Sequence, residues 1–151
     1  MGVVQATATI AASPADVMTV AQRVEEFPAF MPDVTGVSVL ERDDSRGWSR
    51  VQWEAKVEVQ SIRKMIRWVE DETWNLETRR CDFNQVSGDY KKYEGHWSFE
   101  PVEGGTAVTL VCDFDLGLPL VGALINRLLD KLMKDNCQAM LNAIKGRVEG
   151  A

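Results

Sequence analysis

The sequence predicts an α+β protein in which a curved antiparallel sheet of about seven strands wraps around one long C-terminal helix, with short helices after the first strand. Three observations lead to this prediction. Segments of alternating apolar and polar residues recur through most of the chain. Short polar turns connect most of these segments, which is typical of antiparallel neighbours. The chain then closes with an apolar stripe at helical spacing.

The first strand and the short helices are predicted from the N-terminal part of the sequence. Residues 3–11 alternate and are rich in Val and Thr, which predicts the first strand. Ser13 and Pro14 form an N-cap followed by proline at the first helical position, and apolar residues from Val17 to Val24 continue at helical spacing. Residues 27–32 hold two prolines among bulky apolar residues, which predicts a broken second helix that packs inward.

Six more strands and the long helix follow. The strands are predicted at 34–42, 48–60, 62–74, 78–86, 90–101 and 106–116, with turns between them. The final helix carries an apolar stripe of about 28 residues from Leu120 to Val148, and Pro119 suits its entry. Residues 1–151 are predicted to form a single domain, since single cores commonly span about 100–200 residues.

Alternation within the strands predicts which side chains face the helix. Trp53 and Trp97 fall inward, whereas His96 falls on the wet face and is expected to be structural rather than catalytic. Trp48 and Trp74 lie at strand ends beside turns. The sheet offers more concave surface than one helix fills, so we expect a hydrophobic cavity, although each aromatic residue taken singly is also explained as core. The candidate ligand-binding residues are Phe30, Trp53, Trp68, Glu72, Phe83, Tyr93, Trp97, Phe99, Leu110, Phe114, Leu124 and Leu128.

The strand at 62–74 mixes aromatic and acidic residues on one face. Ile66 and Trp68 share that face with Glu70 and Glu72. Either the aromatic residues face the cavity and bring both carboxylates with them, or the charges solvate a strand end, which is the simpler interpretation. If the carboxylates are inside, an Arg or Lys is expected beside them, because buried charges are costly unless paired.

Composition excludes several functional classes. Lys and Arg total 17 against 23 Asp and Glu, a net charge of −6, which argues against a nucleic-acid partner. No apolar stretch approaches the ~18–20 residues of a membrane span and the N-terminus has no signal-peptide pattern, so a cytoplasmic location is expected. Three cysteines without C-x-x-C spacing are expected to be buried and free, and with one histidine neither a metal nor another cofactor is expected. Nothing in the sequence specifies an oligomeric state.

Five short segments carry a resemblance to a known family. They are Ser-Pro-Ala-Asp-Val at 13–17, Arg-Trp-Val-Glu at 67–70, Tyr-Glu-Gly-His-Trp-Ser-Phe at 93–99, Glu-Gly-Gly-Thr at 103–106 and Leu-Pro-Leu-Val-Gly at 118–122. In this order and spacing the chain resembles the SRPBCC or START-like superfamily, and within it the polyketide cyclase/dehydrase and coenzyme-Q-binding START-like group. The resemblance extends over the whole chain and implies the helix-grip fold, in which a sheet wraps a C-terminal helix around a hydrophobic cavity.

The resemblance implies a class of ligand rather than one reaction. The expected function is binding or transport of a hydrophobic small molecule such as a lipid, a quinone or a polyketide. One alternative is an aromatase/cyclase or dehydrase acting on a poly-β-ketone, with Glu70, Glu72 or Tyr93 handling a proton. A second alternative is a toxin-like ribosome-interaction module. Such a module would use a local basic patch formed by Arg63, Lys64, Arg67, Arg79, Arg80, Lys91 and Lys92.

One position departs from what the resemblance implies. In the aromatase/cyclases, an arginine that follows a cavity tryptophan is proposed to help orient the substrate. When Trp68 is matched to that tryptophan, the arginine position falls at Glu72, and Arg67 or Arg79 is left to take its role. A carboxylate does not stabilise a developing enolate as a guanidinium does.

Overall fold

The computed structural model describes residues 2–59, 62–117 and 122–150. Seven strands and two α-helices are present in these ranges, with a 3-10 helix after α1 and a 3-10 turn after β2. In chain order they are β1 (Gly2–Ile10), α1 (Pro14–Gln22), the 3-10 helix (Val24–Ala29), β2 (Val34–Asp43), the 3-10 turn (Asp44–Arg46), β3 (Trp48–Val59), β4 (Ile62–Asn75), β5 (Arg80–Gly88), β6 (Lys92–Val102), β7 (Gly105–Asp115) and α2 (Ala123–Glu149).

The seven strands form one antiparallel sheet in the order β1-β7-β6-β5-β4-β3-β2. From β2 to β7 every strand pairs with its neighbour in sequence, and β1 closes the order by pairing with β7. The predicted meander and the α+β fold class are therefore confirmed. Register shifts in β2 and between Val69 and Glu70 of β4 mark irregularities where the sheet bends.

The N-terminal helices form as the residues predict. Ser13 caps α1 by accepting a hydrogen bond from the backbone N–H of Asp16 at 3.2 Å, and Pro14 begins the helix. In the following 3-10 helix Phe27 is fully buried, and Met31 just after it is buried as well. The prolines therefore break the helix without exposing its apolar side chains.

Helix α2 covers the concave face of the sheet and closes one of its edges. Its buried side chains recur every three or four residues and are Leu129, Met133, Cys137, Leu141 and Ile144. Edge strands expose unpaired backbone groups, and α2 covers those of β1. Gln138 donates to the carbonyl oxygen of Thr7 at 3.1 Å, and Lys145 donates to that of Thr9 at 2.6 Å. The long helix is thereby fixed against the first strand.

Some predicted boundaries shift for identifiable reasons. Strand β5 begins at Arg80 rather than residue 78, because the side chain of Asn75 accepts hydrogen bonds from the N–H groups of Glu77 and Thr78 and Arg79 adopts φ 56°. In the described chain α2 begins at Ala123. The predictions made for residues 60 and 118–121, including Pro119 at the helix entry, fall outside the described residues.

No helix in the described ranges is both long and apolar enough to cross a lipid bilayer.

Candidate ligand-binding cavity

A cavity of about 100 Å³ lies between the concave face of the sheet and α2. Its walls come from the end of α1, the 3-10 helix, strands β3 to β7 and the middle of α2. Aromatic side chains form most of the inner wall: Phe27, Trp53, Trp68, Trp74, Phe83, Tyr90, Tyr93 and Trp97. An apolar cavity with few polar groups is the usual form of a small-molecule site.

The aromatic wall is built from residues that face each other across neighbouring strands. Trp53 of β3 lies directly opposite Trp68 of β4, and their rings are stacked at 6.0 Å with an interplanar angle of 3°. Tyr93 of β6 contacts Trp68 at 5.2 Å between ring centroids and Phe83 at 5.3 Å. Such cross-strand aromatic pairs stabilise a sheet and make this face rigid.

Two carboxyl groups lie on the same wall. Glu70 and Glu72 are only 5% and 4% exposed and both line the cavity. The indole N–H of Trp68 donates to Oε1 of Glu70 at 2.7 Å, and that of Trp53 donates to Oε2 of Glu72 at 3.3 Å. The interpretation that these charges solvate a strand end is therefore wrong. They face inward because residues 66, 68, 70 and 72 share the inward face of β4.

The Arg or Lys expected beside the buried glutamates is also not found among the described residues. Within residues 2–59, 62–117 and 122–150, no Lys, Arg or His forms an ion pair with Glu70 or Glu72. Indole N–H groups take the place of a cation. They satisfy part of the hydrogen-bonding capacity of each carboxyl group without neutralising its charge.

Burial and mutual proximity alter the acidity of the pair. Burial, the charge of Glu72 and a hydrogen bond between the two carboxyl groups raise the pKa of Glu70 well above its ordinary value. Burial also raises the pKa of Glu72, against hydrogen bonds from Glu70, Trp53 and Trp74 that lower it. The two side chains therefore act as one acidic pair that retains a proton above the usual titration range of glutamate.

The mouth of the cavity lies between α2 and the segment that joins the 3-10 helix to β2. Pro32 and Asp33 line it on one side, Lys56 of β3 borders it, and Ala139 of α2 lies opposite, all four being exposed. Glu72 and Trp74 also line a second, more polar cleft of about 920 Å³ beside α1.

The candidate ligand-binding residues fall into two groups. Seven line the cavity: Trp53, Trp68, Glu72, Phe83, Tyr93, Trp97 and Leu110. The other five do not. Phe99 and Phe114 are fully buried in the core behind the wall, Phe30 packs edge-on against Phe27, Leu128 is half-buried and Leu124 is 67% exposed. Leu124 precedes Leu129 by five residues, which places it about 140° round the helix from the buried stripe.

Several cavity residues are additional to the sequence-based set. Tyr90 lies in the connection before β6, where the side chain of Gln85 bonds both its carbonyl oxygen and its N–H, at 2.8 and 3.3 Å. The strand predicted at 90–101 begins instead at Lys92, so the alternation that would put Tyr90 and Tyr93 on opposite faces does not apply to Tyr90. Trp74 also lines the cavity, although the sequence analysis placed it only at a strand end. Alternation puts it on the same face of β4 as Trp68, and this pattern could have predicted its inward direction. Cys81 and Cys137 line the wall too, and with Cys112 all three cysteines are buried and free, as expected.

Comparison with known proteins decides the family. The family model described as polyketide cyclase/dehydrase and lipid transport matches residues 10–141. The chain belongs to this family. No match is found among curated proteins.

Three solved structures are similar in fold to this member of the polyketide cyclase/dehydrase and lipid transport family. TTHA0849 from Thermus thermophilus is 32% identical, with a TM-score of 0.88 over 98% of this chain and 97% of that one. The ZhuI aromatase/cyclase from Streptomyces sp. R1128 is 21% identical, with a TM-score of 0.83 over 97% and 93%. A STAR-related lipid transfer protein from Xanthomonas axonopodis is 16% identical, with a TM-score of 0.74 over 95% and 83%. The helix-grip architecture expected from the resemblance is confirmed.

Neither of the two arginines left to take the role of the missing family arginine lies at the cavity. Arg67 lies on the outer face of β4 and pairs with Glu54 at 2.7 Å. Arg79 is exposed in the β4–β5 turn. Neither residue lines the cavity. The polar side chains of the described inner wall are the two glutamates, the indole and phenol groups beside them, the cysteines and Asn136 of α2.

Three of the seven residues of the predicted basic patch pair with acidic neighbours. Arg67 pairs with Glu54, Arg80 lies 2.9 Å from Asp82, and Lys92 lies 2.7 Å from Asp113. These ion pairs reduce the net positive potential of the outer sheet face.

Proposed function

We propose that the protein binds a hydrophobic small molecule, of the lipid, quinone or polyketide type, in the cavity between the sheet and α2. The observation that carries the proposal is the aromatic wall around an enclosed space with an exposed mouth. Family membership supports the same class of ligand. The apolar contact surface for the ligand is formed by Trp53, Trp68, Tyr93 and Trp97. The two acids Glu70 and Glu72 form the polar contact.

The cavity is smaller than a usual ligand pocket, which limits how a ligand is accommodated. Ligand pockets commonly have volumes of about 300–1,000 Å³, larger than the ~100 Å³ here. A ligand of that class must therefore displace side chains or extend through the mouth. Met133 and Met140 of α2 line the cavity and are the residues best suited to move, because methionine has several rotatable bonds and no branching.

Binding is tested on protein purified without detergent. Native mass spectrometry and solvent extraction detect a co-purifying apolar molecule, and titration with the neutral probe N-phenyl-1-naphthylamine detects an accessible apolar site. Cys137→Phe places a ring in the cavity from α2 and is expected to reduce probe binding at least tenfold. Lys134→Phe adds the same ring on an exposed position of α2 and is expected to leave binding unchanged. Empty spectra together with no probe binding would refute the proposal.

A second candidate function is suggested by the acidic pair. Burial raises the pKa of both Glu70 and Glu72, and a carboxylate with a raised pKa in a dry site is a suitable general base near neutral pH. In the cyclisation of a poly-β-ketone it would accept a proton from a carbon between two carbonyls. The enolate carbon would then attack a ketone carbon, and the resulting alkoxide would take up a proton before water is lost. Confinement of the chain by the cavity would lower the entropic barrier of this step.

This enzymatic candidate is tested with a 3,5-dioxo ester as a mimic of the substrate. Exchange of its α-protons in D2O, followed by NMR, measures the proton transfer alone. Glu72→Gln is expected to abolish the protein-dependent exchange, whereas Glu100→Gln, an exposed position on β6, is expected to retain it. Unchanged exchange in Glu72→Gln would remove this residue from the mechanism.

A further inference from the structure

The cavity contains two buried acids for which the described chain supplies no countercharge. Glu70 and Glu72 are both more than nine-tenths buried and line the cavity. Asp71, between them in sequence, faces the other side of the sheet and lies 2.7 Å from Nε of Arg50. The same strand therefore pairs its outward carboxylate with a guanidinium and leaves its inward carboxylates without one among the described residues.

Glu70 receives little hydrogen bonding from nitrogen donors. An ionised carboxylate offers about four acceptor positions. Trp68 donates to one oxygen at 2.7 Å, and the other hydrogen-bonding neighbour of this side chain in the described chain is Glu72. Within residues 2–59, 62–117 and 122–150, the indole of Trp68 is therefore the one N–H donor to Glu70, and the remaining contact is with the second acid. Two carboxyl groups share a hydrogen bond only while one of them holds a proton, and an ammonium group in place of that proton brings both donors and a positive charge.

The aromatic wall favours a positive charge independently of the carboxyl groups. The faces of aromatic rings carry negative potential and attract cations within about 6 Å. Trp53 and Trp68 present parallel rings beside the acidic pair, and Tyr93 packs against Trp68. Their surfaces also provide the apolar contact that the body of a ligand requires.

We propose that the cavity is a binding site for a hydrophobic amine, whose ammonium group lies between Glu70 and Glu72 and whose apolar body packs against Trp53, Trp68 and Tyr93. This inference rests on the proposed function, since it specifies the polar end of the hydrophobic ligand. An ammonium group supplies both the missing charge and the missing donors. A carboxylate or phosphate headgroup is repelled by the acidic pair.

Other charged groups on the wall do not compete for this role. Lys56 and Asp33 are exposed at the mouth, where water screens their charges. Burial raises the pKa of Tyr90, Tyr93 and Cys81, so these groups stay neutral at pH 7. Glutamate has a much lower ordinary pKa than tyrosine or cysteine, so the pair, although it retains a proton above the usual range of glutamate, is the group that supplies negative charge to an ammonium ion.

The test compares three ligands that differ only in their headgroup: n-octylamine, n-octanol and octanoate. Their affinities for the intact protein are measured at pH 7 by calorimetry and by the change in tryptophan emission. Octylamine is expected to bind at least about tenfold more tightly than octanol, with octanoate weakest. In the double variant Glu70→Gln, Glu72→Gln the three affinities are expected to converge. In Glu100→Gln, the exposed control on β6, the preference for the amine is expected to persist.

The outcomes separate this inference from the proposed function. If none of the three ligands nor the neutral probe binds, the proposed function itself fails. If octanol and octanoate bind as tightly as octylamine, the hydrophobic site stands and the amine inference is overturned. An amine preference that survives in the double variant also overturns it, because the preference then arises from the overall charge of −6 rather than from the pair. The comparison within the unmodified protein does not depend on the folding of any variant.

Discussion

Trp68 donates its indole N–H to Oε1 of Glu70 at 2.7 Å, across two residues of the same strand. Residues two apart on a strand share a face, so the aromatic wall and the acidic pair enter the cavity together. The hydrogen bond partly compensates the burial of Glu70 but brings no positive charge. The stability of the folded chain is therefore tied to the protonation of this side chain.

Replacing Glu70 by Gln is expected to stabilise the protein at alkaline pH. The pKa of Glu70 is raised above its ordinary value of 4.5 in the folded state, chiefly by burial and then by Glu72. A raised folded pKa makes stability fully present below pH ~4.5 and lost as the pH rises through the folded value. Gln resembles the protonated acid, so the variant should gain on the order of 1–3 kcal/mol over wild type at pH 8 and almost nothing at pH 5.

This pH dependence is measured by urea unfolding, followed by tryptophan fluorescence, of both proteins between pH 5 and 8.5. The difference between them cancels other titrating groups, such as His96, whose pKa is lowered by burial and by Arg80. Stability curves that run parallel for variant and wild type would show that Glu70 does not titrate differently in the folded and unfolded chain.

Removing the indole donor is expected to have the opposite effect. Trp68→Phe keeps an aromatic ring but deletes the N–H that lowers the pKa of Glu70. The folded pKa then rises further, and stability should fall by about 1–3 kcal/mol, more at pH 8 than at pH 5. Trp97→Phe is the matched control, since this tryptophan also lines the cavity but donates no side-chain hydrogen bond in the described structure. Equal and pH-independent losses in both variants would contradict the role assigned to the Trp68 donor.

Periodicity was sufficient to predict the succession of strands along the chain and the long helix, but not that β1 pairs with β7. Alternation in β3, for example, placed Val51 and Trp53 inward, and both are buried. The exact ends depended on local contacts that alternation does not contain, such as the Asn75 side chain that delays β5. On α2, the stripe was correct from Leu129 onward, but Leu124 lies on another side of the helix.

The chemistry of the cavity was harder to predict than its position. Alternation correctly grouped Glu70 with Trp68, but the cost of burying charge favoured an exposed strand end. The two glutamates can be buried because indole N–H groups donate to them and because a proton is held between the two acids. The sequence alone does not show either of these interactions. Trp53 and Glu72 lie on different strands, so their hydrogen bond depends on a register that a single sequence does not specify.

Substitution of one glycine in the sheet is expected to be strongly destabilising. A Cβ at Gly95 of β6 would clash with the backbone carbonyl oxygen of Val111 and would lie 2.9 Å from the ring of Phe83. Gly95→Ala must separate β6 from β7, and we expect a loss of about 2–4 kcal/mol in the free energy of unfolding. In Gly36→Ala of β2 the nearest atom is 3.7 Å away, so that control should change stability by less than about 1 kcal/mol. Urea unfolding of both variants provides the measurement, and similar stabilities would show that the two strands separate without cost.

The mouth of the cavity is expected to control how fast a ligand enters. Ala139 on α2 and Pro32 both line the cavity and are exposed, which places them at its mouth. Ala139→Trp should narrow that opening and slow association of N-phenyl-1-naphthylamine about tenfold or more, while stability changes by less than about 0.5 kcal/mol, as is usual for surface substitutions. Lys134→Trp carries the same side chain about 140° round the helix from Ala139 and should leave the rate unchanged. Stopped-flow fluorescence measures both rates. Association as fast in Ala139→Trp as in wild type would mean that the ligand enters elsewhere, for instance through the polar cleft that Glu72 and Trp74 also line.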